Sequence, residues 1–172
     1  MVHGFQPRLA RVFGRRRAPE AVRAVALDAG ERRTAWGLTT AGDPVLATDV
    51  GLRVPGSVRL DWPDVEKATW ARPVLEVLEV AQVSGAGRRW RFELAEEGEL
   101  PETVRSSVTA SVAWSTHVGL HPAGGVRVVG RRRPGRELLD WQLVYDRGTD
   151  PDDPEVRAQA MAVLADARRT IG

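Results

Sequence analysis

The chain has 172 residues, 42% of them apolar and 28% charged, which suits one folded domain with a single core and excludes the composition of a disordered chain. It contains no cysteine, which rules out a disulfide framework, thiolate catalysis and thiolate-held zinc, and makes a reducing, cytoplasmic setting the expectation. Its 25 basic and 23 acidic residues give a net charge of +2, but Arg8, Arg11, Arg15, Arg16 and Arg17 precede the first acid, Glu20, so a basic N-terminus leads into a slightly acidic body.

Lysine is nearly absent. The one lysine, Lys67, sits in Glu-Lys-Ala, so the Gly-Lys-Ser/Thr of a phosphate-binding loop is missing. No run approaches the 18 or so apolar residues of a membrane span, and the triplet Arg15, Arg16, Arg17 leads into Ala-Pro-Glu rather than an apolar stretch, so no signal peptide is expected.

In chain order, Phe5, Leu9, Val12 and Phe13 recur at helical spacing with Arg8 and Arg11 between them, a short basic amphipathic helix too brief to persist alone in water. Residues 15–20 read as a linker. The expected organisation is therefore a flexible basic tail over residues 1–20 and one globular domain over residues 21–172. Past Gly30 the pattern changes to short strands at residues 33–39, 45–48, 52–54, 58–62, 66–70 and 74–80. Turns at 42–44, 49–51, 55–56 and 63–64 separate them, and connections this short predict antiparallel pairing. Residues 90–94 alternate cleanly, with Trp90, Phe92 and Leu94 on one face and Arg91 and Glu93 on the other. Pro101 near a helix start, with Val104, Val108 and Val112 at four-residue spacing, predicts a helix over about 101–110. Strands resume at 112–120, 126–132 and 137–145. The last segment carries full helix signals: Asp152 or Asp153 as cap, Pro154 and Glu155 in the first turn, and Arg168 and Arg169 in the last. Its apolar stripe of Val156, Ala160, Val163, Leu164, Ala167 and Ile171 predicts a helix over about 154–170 lying on a sheet.

Three stretches sharpen this mainly β reading. Gly30-Glu31-Arg32 opens a strand; Thr48, Asp49 and Leu52 form a hairpin pattern of Thr-Asp-x-x-Leu; Leu60, Trp62, Asp64 and Val65 follow in a Leu-x-Trp-x-Asp-Val segment. Together they resemble bacterial pleckstrin-homology-like domains, most clearly over residues 30–80. The whole chain is similar to uncharacterised actinobacterial proteins of about this length, through residues 108–117 and 150–157. The resemblance implies a bent antiparallel sheet forming a partly open barrel with a capping helix. Here the last helix is expected to be the cap and the helix at 101–110 an addition. It also implies a lipid-binding, peptide-binding or scaffolding role rather than catalysis.

The remaining constellations are weighed one by one. His117 and His121 fall at a strand end, where a four-residue spacing separates them by about 13 Å, too far for a shared metal. The run Asp150, Asp152, Asp153, Glu155 lacks the glycine and distal glutamate of a calcium loop and reads as helix capping. Ser106, Ser107, Ser111 and Ser115 lie near His117 in sequence without a nucleophile elbow. Trp36, Trp62, Trp70, Trp90, Trp114 and Trp141 all fall on expected strands and read as core. No catalytic residue, cofactor or metal is assigned. The functional signal is arginine: Arg15, Arg16 and Arg17 in the tail, and Arg131, Arg132, Arg133 and Arg136 around a Pro-Gly turn. Guanidinium forks match phosphate geometry, so these residues are the candidate anion- or partner-binding set. The expected function is a non-enzymatic binding or scaffolding domain that engages a protein, or an anionic membrane surface at the periphery of the membrane. The alternative is a nucleic-acid- or ribosome-associated factor using the same arginines plus exposed tryptophans.

Overall fold

The structure, a computed structural model, describes residues 17–80 and 87–171. The amphipathic segment expected over residues 5–13 lies outside them. In order the elements are α1 (Glu20–Ala24), β1 (Arg33–Thr39), β2 (Pro44–Thr48), β3 (Gly51–Val54), β4 (Val58–Asp61), a single 3-10 turn at Trp62–Asp64, β5 (Val65–Ala71), β6 (Val74–Glu79), β7 (Arg89–Glu96), α2 (Leu100–Ser111), β8 (Val112–Gly119), β9 (Gly125–Arg131), β10 (Asp140–Tyr145) and α3 (Pro154–Ile171). Each hydrophobic run expected to be a strand is one, and both long helices start within a residue of their proline signal.

β1 to β7 form one antiparallel sheet in the order β4-β3-β2-β1-β7-β6-β5. Five of its six pairings join strands adjacent in sequence. The sixth, β1 with β7, spans more than fifty residues and rests on the end of β1 alone, where Leu38 faces Glu96 and Thr39 faces Leu94. β4 and β5 stay at the two edges, so the sheet does not close into a barrel. Leu100, Val104 and Val108 of α2 pack with Val45, Leu52, Leu75, Phe92 and Leu94 in a single core. Gly37 makes that packing possible: a Cβ there would come within 2.8 Å of the Glu96 carbonyl and 2.9 Å of Leu100 Cδ2.

β8, β9 and β10 form a second antiparallel sheet in the order β10-β9-β8. α3 lies on it through Val156, Ala160, Leu164 and Ala167, which join Leu120, Val126 and Val128 in two small apolar clusters. Asp153 caps α3, its Oδ1 accepting from the Glu155 and Val156 amides at 2.8 and 3.2 Å. The stripe read from the sequence is thus correct at its centre, while Ile171, at its end, is 41% exposed.

Two expectations are corrected. The C-terminal helix does not cap the seven-stranded sheet; α2 does, and α3 serves the appended three-stranded sheet. Trp62 is in the 3-10 turn rather than on a strand, with its buried indole N–H donating to the Thr48 carbonyl at 3.0 Å. At the start of the expected globular domain, Val22 of α1 is fully buried, and α1 lies against β2. β2 is therefore covered on both faces, with Val45 and Ala47 in the core and Leu46, also fully buried, on the alternate face.

Candidate functional site

The arginines singled out in the sequence do not form one surface. Arg131, at the end of β9, is 3% exposed. Its guanidinium reaches out of its own sheet and donates to the Val108 carbonyl at 3.2 Å, Ser111 Oγ at 2.6 Å, the Glu66 carbonyl at 3.1 Å and Gln142 Oε1 at 3.0 Å. Val108 and Ser111 are the last turn of α2, which has no basic residue of its own there. Arg131 therefore supplies both hydrogen bonds and positive charge to the negative end of that helix. The backbone repeats the link, because the Arg132 amide donates to the Ser111 carbonyl at 2.9 Å. Burial lowers the pKa of Arg131 from the usual arginine value, against the pull of Glu66 and Asp64. Burial also raises that of Glu66, with Arg131 opposing. An anion-binding role for Arg131 is thus corrected: its donors are spent on neutral oxygens inside the protein.

Arg133 is spent as well. Its Nε lies 2.6 Å from Asp140, its Nη1 3.1 Å from both Asp61 and Asp64, and its Nη2 2.5 Å from Asp64. Asp64 foremost, and then Asp140, hold its pKa above the ordinary arginine range against the opposing effect of burial. Gln142 adds a bond from its Nε2 to the Pro63 carbonyl at 2.7 Å. Arg131, Arg133 and Gln142 together fasten the second sheet to the corner where β4 turns into β5. No apolar cluster spans the two sheets among the described residues, so this joint is polar. It continues as an ion ladder through Asp61 to Arg59, Asp28, Arg53 and Glu31, with Arg59 Nε 2.6 Å from Asp61 and Arg53 Nη2 2.5 Å from Glu31. The Glu31 side chain is 2% exposed, and its hydrogen bonds from Arg53 draw its pKa down to about 2.

Arg132 and Arg136 remain on the surface. They flank the Pro134-Gly135 turn, where Gly135 adopts φ +78°, and Arg136 makes only a 3.7 Å approach to Asp140. Both border a shallow groove of about 610 Å³ with Trp114, Pro134, Leu139 and Ile171. Arg17 is exposed, while Arg15 and Arg16 lie outside the described residues. The tryptophans are half-buried except for Trp62. Trp114 and Trp141 meet edge to face at 5.5 Å, and Trp90 carries Arg88 over its ring at 3.9 Å with its N–H on Glu79. His117 and His121 part as expected: His117 Nε2 meets Asp146 Oδ2 at 2.8 Å, and Gln159 bonds the backbone of His121.

The feature the sequence hid is the outer edge of β5. Among the described residues no strand pairs with it, and α2 runs beside it. Between them lies a groove of about 560 Å³ with Ala68, Trp70, Leu75 and Pro101 along it, Lys67 and Arg105 as its cations and Glu97 and Glu102 as its anions. The Glu66 carbonyl is already taken by Arg131, so the open length runs from Lys67 onward. Edge position depends on strand order, which no local spacing reveals. The nearest signal was Lys67 itself, since a charged residue is a common guard on an edge strand. No family model matches the chain, and neither the curated proteins nor the solved structures contain one similar enough to match it.

Proposed function

We propose that the chain is a non-enzymatic binding or scaffolding domain whose partner is a protein, held as an extended segment along β5 in the groove beside α2. The observation that carries this reading is the unpaired β5 edge opening onto a groove with an apolar floor and charges of both signs. A strand edge supplies backbone hydrogen bonds to any extended chain, and the alternating pockets and charges beside it supply selectivity. Residues 31–111 are, in this reading, the pleckstrin-homology-like unit. Seven antiparallel strands followed by one helix packed in their core support it, and so do the roles of the motif residues. Thr48 bonds across the β2–β3 turn to Gly51, Asp49 accepts from Arg32, and Leu52 and Leu60 are buried.

The test is to select peptides from a random display library on the whole chain, then follow amide hydrogen exchange with and without a selected peptide. Slowed exchange along β5 and the first turns of α2 is expected. The double variant Lys67→Glu/Arg105→Glu, at two exposed positions, should lose about tenfold or more in affinity while melting within a few degrees of the wild type. Protection on another surface, unchanged affinity in the double variant, or a library that yields no binder would each overturn the proposal.

A further inference from the structure

We infer that the end of the second sheet formed by the β9–β10 loop and the last turn of α3 docks on an anionic phospholipid bilayer, independently of the β5 groove. The loop over residues 132–139, which joins β9 to β10, carries Leu138, which is 73% exposed, the most exposed large apolar side chain of the described residues. Ile171 at the end of α3 is 41% exposed and borders the same groove as Arg132 and Arg136. Arg168 stands one helical turn before Ile171 and is exposed, so it shares that face. Ile171 therefore lies beside Arg132 and Arg136 in a groove that Glu137 also lines, and Leu138 is carried on the same loop as those two arginines. The acids nearest in the chain are Glu137, exposed on the loop, Asp140, already bound by Arg133, and Asp166, which pairs with Arg169 at 3.0 Å.

This combination favours a bilayer over other polyanions. Arginines beside exposed apolar side chains match the two layers of a membrane surface, where the guanidiniums meet the headgroup phosphates and the leucine enters the acyl boundary. Nucleic acid would satisfy the arginines but offers nothing to a solvent-facing leucine. The arginines that face water here are those that the joint leaves over, since Arg131 and Arg133 are turned inward.

The experiment is co-sedimentation of the whole chain with phosphatidylcholine vesicles, with and without about 30% phosphatidylserine, over a salt series. The same binding is measured for Leu138→Asp and for Arg132→Glu/Arg168→Glu, whose side chains make no core contact, with thermal unfolding confirming that both fold. Binding is expected only to the serine-containing vesicles, weakening with salt, and each variant should lower the affinity about tenfold or more. Wild-type binding that Leu138→Asp leaves unchanged would overturn the inference, as would the absence of vesicle binding at low salt. A single-stranded RNA bound as tightly as the vesicles, with no dependence on Leu138, would reassign the surface to a general polyanion site and overturn it equally.

Discussion

Replacing Arg131 by alanine tests the central structural claim, that an arginine from the second sheet joins it to the first. The guanidinium serves four acceptors, two in buried and two in part-buried hydrogen bonds. After its loss Val108 O still accepts from Ser111 Oγ at 2.7 Å, so the deficit falls chiefly on the Glu66 carbonyl and Gln142 Oε1. A fully buried acceptor left unsatisfied costs about 1–3 kcal/mol, so these two part-buried ones together cost at most about 2–6 kcal/mol. Removing the cation also relieves its own burial cost, which places the net at about 2–4 kcal/mol. For a chain of 172 residues that lowers Tm by roughly 5–15 °C. Arg132→Ala, one residue on and exposed, should stay within about 0.5 kcal/mol of the wild type. Urea unfolding followed by circular dichroism, with calorimetry alongside, measures both. If Arg131→Ala unfolds at the same midpoint as Arg132→Ala, the joint is not made by Arg131. Arg131→Met should lie between the two, since an apolar side chain of similar length fills the space but leaves the acceptors unserved.

Two further outcomes follow from the same geometry. Glu31, with its pKa drawn from 4.5 to about 2, binds a proton more readily unfolded than folded. Its contribution, about 3 kcal/mol, is therefore present above pH 4.5 and lost as pH falls toward 2. Glu31→Gln should flatten that part of the stability profile, read as urea midpoints from pH 6 to 2, and an unchanged acid slope would count against the Arg53 clamp. Leu164→Ala should cost about 2–5 kcal/mol in chemical unfolding, because Leu164 is 6% exposed in the cluster between α3 and β9; a loss below half a kilocalorie would mean that α3 is not seated on its sheet.

The sequence by itself determined the elements. Period-two alternation in Trp90, Phe92 and Leu94, turn residues every few positions, and the cap, proline and arginines of the last helix are local signals, and local physics is enough to read them. The apolar stripe of α3 was legible for the same reason: a helix in water must bury such a face. The identity of the sheet beneath it was not legible, because Val156 or Leu164 is equally well buried by any apolar surface. Only the assembled strand order gave the seven-stranded core to α2 and the three-stranded one to α3. The arginines show the limit most plainly. In sequence Arg131, Arg132 and Arg133 are three equal charges beside a turn. Arg131, the last residue of β9, and Arg133 turn toward the first sheet while Arg132 stays exposed, and most of the oxygens that meet the inward pair come from residues 61–66 and 108–111, distant along the chain. Whether a charge is a ligand site or a structural fastener depends on what stands opposite it in space, and the tertiary structure alone supplies that partner.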